Sequence, residues 1–399
     1  MAPNKEVTEI DFLANYYTQD GDFGAPQGGI GTEALDNVAG LVVVRVPLDS
    51  NTAIDWSVGG DYYSSASTDR IDYQTSTASS SDLRAYGNVA VEERDLRRGR
   101  TYTAGVGLSR EYDYESLSLG VGVAQEWGRG THELSVGLRA FLDRWDLIYP
   151  VEFRRPNSGL VPLDGRGRQS YGLALTYSRV VNRRVQLALA LEPVAMRGTL
   201  STPFHRVFFA RPGAPDFAEL YLSTPLEQRD RVVFAADDIE RLPATRLKLP
   251  VSLRLNAKVN DVLSLRTFAR YYADSWAVRG VSGEIELAYQ YSEAWALLPS
   301  VRYYDQSASE YYAGFARHDP AAEFYTSDFD LAAFSTAKFG LGVRYAPVFG
   351  VARAMLGGRG LEWQQINLRG AYYRRDPGLT ALTFTAGVKL GLRRRGGSR

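Results

Sequence analysis

The 399-residue chain has no cysteine. That excludes a disulfide scaffold, thiolate metal sites and a cysteine nucleophile, and it suits a chain that crosses an oxidising periplasm. No apolar window reaches the ~18 residues a membrane helix needs, so no transmembrane helix is expected. The opening MAPNKEVTEI carries no apolar h-region, so no signal peptide is expected within the sequence as written, which begins either as a cytosolic protein would or at a mature or engineered start. Lys+Arg and Asp+Glu balance at 46 each, which leaves no field to recruit nucleic acid. Histidine falls to three residues. His132 follows a tight turn; His205 and His318 sit in connecting loops. Ser201 is close to His205, but no orienting group or nucleophile elbow accompanies it, and there is no P-loop, dinucleotide fingerprint or CxxCH haem motif. The expectation is a non-enzyme with no catalytic, cofactor-binding or metal site and no cofactor.

What the sequence has is alternation. In TRLKLPVSLRLNAKV, Leu247, Leu249, Val251, Leu253, Leu255, Ala257 and Val259 share one face, and Arg246, Lys248, Arg254, Asn256 and Lys258 the other. ALTFTAGVKLGL and THELSVGLRAFL repeat the pattern. About sixteen strands follow: roughly 8–18, 36–46, 52–63, 82–92, 100–110, 114–126, 131–143, 169–180, 183–193, 245–258, 261–272, 276–290, 295–304, 334–346, 360–374 and 379–392. Most have ten or more residues, where globular strands have about 5–6 and membrane strands need about 9–11. Connections after the even strands are short, except about 347–359. Several after odd strands are long, about 19–35, 64–81, 144–168, 194–244 and 305–333. The fold class predicted is all-β: a transmembrane antiparallel up-and-down β-barrel of about 16 strands, one domain over 1–399, with a basic tail at 393–399.

Tyrosine reaches 25 residues and occurs in doublets. Tyr16-Tyr17, Tyr62-Tyr63, Tyr271-Tyr272, Tyr303-Tyr304 and Tyr372-Tyr373 all close odd strands at the long-loop end. Neighbouring strand residues point to opposite faces. One ring of each pair can therefore meet the headgroup layer and the other the barrel mouth, forming an aromatic girdle. The sixth doublet, Tyr311-Tyr312, falls inside a long loop and finds no place in this scheme.

The segments TEIDFLANYYTQDGD (8–22), GGIGTEALDN (28–37), VPLDS (46–50), DYYSSASTDRID (61–72), STASSSD (76–82) and AYGNV (85–89) resemble an uncharacterised family of Gram-negative outer-membrane proteins, catalogued as a domain of unknown function. The resemblance implies a β-barrel in the bacterial outer membrane. It also implies a redox neighbourhood, since some members are encoded near thioredoxin-like and flavin-transfer proteins, though no redox site in this chain. One feature departs from the usual pattern: outer-membrane barrels commonly end on an aromatic residue, whereas here Leu392 closes the alternation and RRRGGSR follows.

Alternation places Arg254, Lys258, Arg266, Arg270, Arg302, Lys338, Arg344, Arg369 and Lys389 in the lumen, with Glu284 and Glu286 between them. Asp11, Asp55, Asp61, Glu133 and Glu192 face in from the first half. These charges either set a transverse field that orients polar solutes or pair across the lumen and fill it. Small inward residues (Gly105, Gly107, Ser109, Gly120, Gly122, Ala124, Ser135, Gly137) either receive a folded-in loop, such as 194–244, or relieve curvature. The loop pairs Asp20/Asp22, Asp69/Asp72, Asp237/Asp238 and Asp328/Asp330 are calcium candidates or ordinary turn aspartates.

Two functions compete. The first is a passive, porin-like channel for small polar or anionic solutes; sixteen strands enclose more space than their side chains fill. The second is a non-conducting scaffold or sheath that docks a periplasmic or surface partner, such as a redox carrier. Expected partners are outer-membrane lipid, the barrel-assembly machinery and those solutes or that protein, with no nucleic acid.

Overall fold

The computed structural model describes residues 7–64, 81–149, 163–209, 237–356 and 359–393. Asp69 and Asp72, residues 210–236 of the long loop and the tail from 394 lie outside the described residues. In chain order the strands are β1 (Val7–Gly21), β2 (Leu35–Pro47), β3 (Thr52–Ser64), β4 (Ser81–Asp95), β5 (Arg100–Arg110), β6 (Tyr114–Trp127), β7 (His132–Leu147), β8 (Leu163–Asn182), β9 (Val185–Leu191), β10 (Val194–Gly198), β11 (Arg206–Phe208), β12 (Asp237–Ile239), β13 (Thr245–Lys258), β14 (Leu263–Asp274), β15 (Arg279–Gln290), β16 (Trp295–Gln306), β17 (Phe334–Tyr345), β18 (Ala352–Leu356), β19 (Arg359–Asp376) and β20 (Leu379–Arg393).

All except β11 and β12 join one antiparallel sheet. β9 and β10 share one wall position, as do β17 and β18, so the wall has sixteen positions. It closes where β1 pairs with β20, from Val7↔Arg393 to Gly21↔Leu379. Closure removes the free edges that hydrocarbon cannot satisfy.

The shared positions refine two boundaries. Pro193 has no N–H, so the ladder breaks between β9 and β10, and the Pro193 carbonyl accepts from Leu173 N at 3.0 Å. Pairing with β8 and β13 then resumes, and the long loop begins after Gly198. The anomalous connection at 347–359 is a continuation of the wall. After a turn, β18 pairs with the first residues of β19, Ala352↔Trp363 to Leu356↔Arg359, extending this hairpin at the short-turn end.

One contact fixes the two faces of the wall. Arg369 on β19 donates to Glu286 on β15 at 2.8 Å, although β16 and β17 lie between them. Side chains bridge that span only across the concave side. Residues sharing their parity therefore line the lumen. The opposite parity carries Leu247, Leu249 and Leu253, 46–58% exposed, the outward apolar band of a membrane barrel.

A few wall side chains, such as Val44, Ala53 and Leu298, are buried, but the clustered apolar core of the described residues is elsewhere. It lies in a cap built from loops at the long-loop end. One cluster joins Leu242, Trp276, Val278 and Leu331; another joins Val207, Phe209 and Tyr325. Tyr311 and Tyr312, unplaced by strand periodicity, belong here: both pack on the first cluster, and Tyr311 meets Trp276 edge-on at 6.0 Å. The β11–β12 hairpin crosses the cap. Gly28 sits under it at φ 81, and a Cβ there would lie 2.6 Å from the Phe208 ring, so glycine serves both the left-handed turn and the close approach.

Candidate functional site

Strand register arranges the inward side chains of the second half in rows. One row runs Arg254, Phe268, Glu284, Arg302, Lys338, Tyr373. The row nearer the mouth runs Arg270, Ser282, Tyr304, Thr336, Arg375. The row below contains Arg266, Glu286 and Ser300. Arg302 and Lys338 are direct cross-strand partners, an arrangement of like charge that weakens a sheet.

The expected inward charges divide into paired and unpaired groups. Glu286 accepts from Arg266 Nη1 and Arg369 Nη1, each at 2.8 Å. Arg344 Nη2 donates to Gln290 Oε1 at 3.1 Å. Arg254 lies over the Phe268 ring, 5.4 Å from its centre. Lys389 pairs with Glu9 at 2.8 Å, and Lys258 with Asp261 at 2.7 Å in the turn beyond its strand. Among the described residues, Arg270, Arg302 and Lys338 form no ion pair, and neither does Glu284. In the first half, Arg45 reaches both Asp55 and Glu92 at 2.6 Å, so that wall is locally neutralised. Asp11, Asp61, Glu133 and Glu192 form no ion pair among the described residues either, so uncompensated charge in the described lumen is positive on the second-half wall and negative on the first.

Five tyrosine doublets flank the mouth. Tyr16, Tyr62, Tyr271, Tyr303 and Tyr372 are 41–54% exposed, while Tyr17, Tyr63, Tyr272, Tyr304 and Tyr373 are half-buried. The inward set bonds along its own face. Tyr17 donates to Gln19 at 2.6 Å, Tyr272 to Asp274 at 2.7 Å and Tyr304 to Gln306 at 2.5 Å. Gln306 Nε2 passes the connection to the cap by donating to the carbonyls of Asp330 and Ala332 at 2.9 and 2.6 Å.

Arg375 clamps the cap to the wall. Its side chain is 4% exposed and pairs with Glu33 at 2.6 Å and Asp330 at 3.3 Å. Its guanidinium also lies over Phe329, 4.6 Å from the ring centre. Burial raises the Glu33 carboxyl above its ordinary range, and Arg375 partly reverses this. Asp330 borders two polar chambers under the cap. One, about 300 Å³, also has Tyr17, Lys338, Tyr373 and Arg375 in its wall. The other, about 290 Å³, has Arg270, Arg302 and Tyr304.

The glycine wall and the loop do not meet where described. The atoms nearest Gly105, Gly107, Gly120, Gly122 and Gly137 belong to adjacent strands. The described loop residues instead build the cap. Its acids are held by protein groups: Asp237 by Arg206, Asp238 by Tyr325 at 2.7 Å, Asp330 by Arg375. No calcium cage of oxygen ligands assembles from them among the described residues. Asp328 instead approaches His205, whose Nδ1 lies 3.1 Å from Glu240. Burial alone would lower the His205 pKa, but Asp328 and Glu240 lift it to about 9. Sequence reading singled out His205 only beside Ser201. Its actual partners lie 35 and 123 positions away, beyond any local spacing signal.

The sequence pattern of one family, described as "Protein of unknown function (DUF3570)", matches residues 61–390. The chain belongs to this family. The resembling stretches from 61 onward fall within the match, and those between 8 and 50 precede it. No curated protein matches. Similar solved structures include a bacterial polysaccharide outer membrane secretin, at 9% identity and TM-score 0.44 over 97% of this chain and 98% of that one. The outer membrane protein OpdK from Pseudomonas aeruginosa gives 10% and 0.41 over 96% and 98%. The siderophore receptor PirA from Acinetobacter baumannii gives 11% and 0.43 over 92% and 53%.

Proposed function

We propose that this DUF3570 member is a passive outer-membrane channel that favours small anionic solutes and is narrowed by its loop cap. The observation carrying this reading is the row Arg302–Lys338, with Arg270 above it and no carboxylate partner for any of the three among the described residues. Unpaired cations in a lumen must be hydrated, and they raise the local concentration of anions. The polar chambers beneath the cap supply a hydrated path past them. The long-loop end is then extracellular and the termini periplasmic. No chemical step is assigned to the protein.

The test is single-channel recording in planar bilayers under a KCl gradient. The expected result is stepwise conductance with a reversal potential on the chloride side. Silent, sealed barrels would overturn the channel. A second reading, a scaffold for a periplasmic partner, draws on the β17–β19 extension, where Val348, Phe349 and Met355 are exposed at the short-turn end. Co-purification of a stoichiometric partner with silent barrels, lost on Phe349→Ser, would favour it.

A further inference from the structure

Three loop segments of the cap converge on one point. His205 precedes β11, Glu240 follows β12, and Asp328 lies in the β16–β17 loop. Their Nδ1 and carboxylate oxygens all lie within 4.8 Å of one another. The side chains are 17%, 2% and 26% exposed, unlike solvated surface acids.

Two distances separate this trio from an ordinary ion pair. His205 Nδ1 to Glu240 Oε2, at 3.1 Å, is compatible with a hydrogen bond. His205 Nδ1 to Asp328 Oδ2, at 3.9 Å, is too long for one. Asp328 uses its other oxygen, Oδ1, to accept from Asp330 N at 3.0 Å. Oδ2 is thus turned toward the trio without a hydrogen-bond donor among the described residues. Ligands about 2.0–2.2 Å from a shared ion stand about 3–4 Å apart, so both distances suit two donors on one metal. Bringing all three atoms into range needs movement of less than about 1 Å.

Charge and outer contacts agree. Two carboxylates against one imidazole leave the cluster negative even when the imidazole is protonated; a divalent cation with neutral imidazole closes the balance. Glu240 is oriented from behind. Thr202 N donates to its Oε1 at 2.7 Å, and the Thr326 hydroxyl to its Oε2 at 2.5 Å. That hydroxyl also accepts from Asp328 N at 2.9 Å, so Thr326 ties both acids together as an outer-sphere residue does in a metal centre.

We propose that His205, Glu240 and Asp328 bind a divalent transition-metal ion that clasps the loop cap. One imidazole nitrogen and two carboxylate oxygens suit Zn²⁺ or Mn²⁺, whereas Ca²⁺ requires six or more oxygens. The remaining coordination positions would hold water. The site goes beyond the channel reading, since a clasped cap is equally compatible with a silent barrel.

The test uses the full-length folded protein in detergent, stripped with chelator and titrated separately with Zn²⁺ and Mn²⁺ by calorimetry. One ion per chain should bind with micromolar or tighter affinity and protect the cap from limited proteolysis. Co²⁺ should give a visible d–d absorption band. Asp328→Asn, which retains an oxygen able to accept from Asp330 N, should weaken binding at least tenfold while the cap stays folded. His205→Ala should abolish the Co²⁺ band, whereas His318→Ala should leave it intact. Absence of saturable binding by Zn²⁺ and Mn²⁺ up to 100 µM added ion would overturn the proposal. Equal binding by wild type, Asp328→Asn and His205→Ala would overturn it too, by placing the ion elsewhere.

Discussion

Glu286→Gln provides the sharpest test of the lumen. Glu286 is 10% exposed and lies between two arginines that are 46% and 48% exposed. The substitution keeps shape, leaves an acceptor for only one of the two arginines and makes the lumen one unit more positive. Because both arginines retain water, the loss of stability should be modest, about 1–2 kcal/mol. At a permeating ion about 6 Å away in a water-like medium, one charge contributes ~0.7 kcal/mol. Screening at 0.1 M salt reduces this to ~0.4 kcal/mol. That energy favours anions and disfavours cations equally, so their permeability ratio should rise about fourfold. Reversal potentials under a KCl gradient measure the ratio directly. Glu293→Gln, at an exposed turn outside the lumen, is the control and should change nothing. An unchanged ratio in Glu286→Gln, or a shift toward cations, refutes the placement of this triad on a conducting path.

Asp330→Asn removes the carboxylate shared by the two mouth chambers; chloride conductance should rise, and an unchanged value in bilayer recordings would show that the chambers are off the path. Arg375→Met leaves Glu33 without its buried cation and should destabilise the cap by about 3 kcal/mol, visible as faster proteolysis of the β16–β17 loop with barrel circular dichroism unchanged. His318 provides a pH handle, because burial pulls its pKa down to about 4. The neutral ring packs edge-on to Phe209 and Tyr325. The folded cap resists the proton that the unfolded loop accepts, so stability is complete above the ordinary value of 6.5 and falls as pH drops toward 4. Over that window about 3 kcal/mol is lost. In the metal-free cap His205 stays charged throughout, whereas Glu33, raised by burial, also takes up protons. Comparison with His318→Gln isolates the histidine; identical acid sensitivity of proteolysis in the two proteins would contradict its role.

Strand order and facing were legible because the wall is periodic. Leu249 and Arg254 differ in environment by parity alone, and parity is written in the sequence. The exceptions have local chemical causes. Pro193 interrupts a ladder that continues beyond it, so the ninth strand reads five residues short. The β18 segment follows a turn that hides its continuity with β17. The cap was almost invisible by comparison. RVFFA (206–210) and the Tyr311-Tyr312 pair put apolar and aromatic residues into loops, but nothing in either segment names its partner. His205 with Asp328, and Arg375 with Glu33, are contacts between distant loops, and periodicity carries no information about them.

The tyrosine doublets join these two levels of organisation. A girdle in contact with headgroups requires only the outward ring. The inward rings are also engaged: Tyr17, Tyr272 and Tyr304 each donate to the polar side chain two residues further up the same strand face. Those acceptors serve the cap in turn. Gln19 Nε2 donates to the Glu33 carbonyl at 3.1 Å, Asp274 Oδ1 accepts from Trp276 N at 2.9 Å, and Gln306 holds the backbone around Asp330. A sixteen-strand wall is too wide for strand side chains to fill. A collar of this kind lets loops seat on the wall without large residues inside it. Replacing an inward ring should therefore loosen the cap, while replacing its outward neighbour should change only the membrane contact. Tyr304→Phe against Tyr303→Phe poses that choice with a single hydroxyl: proteolysis of the cap should quicken in the first and not in the second.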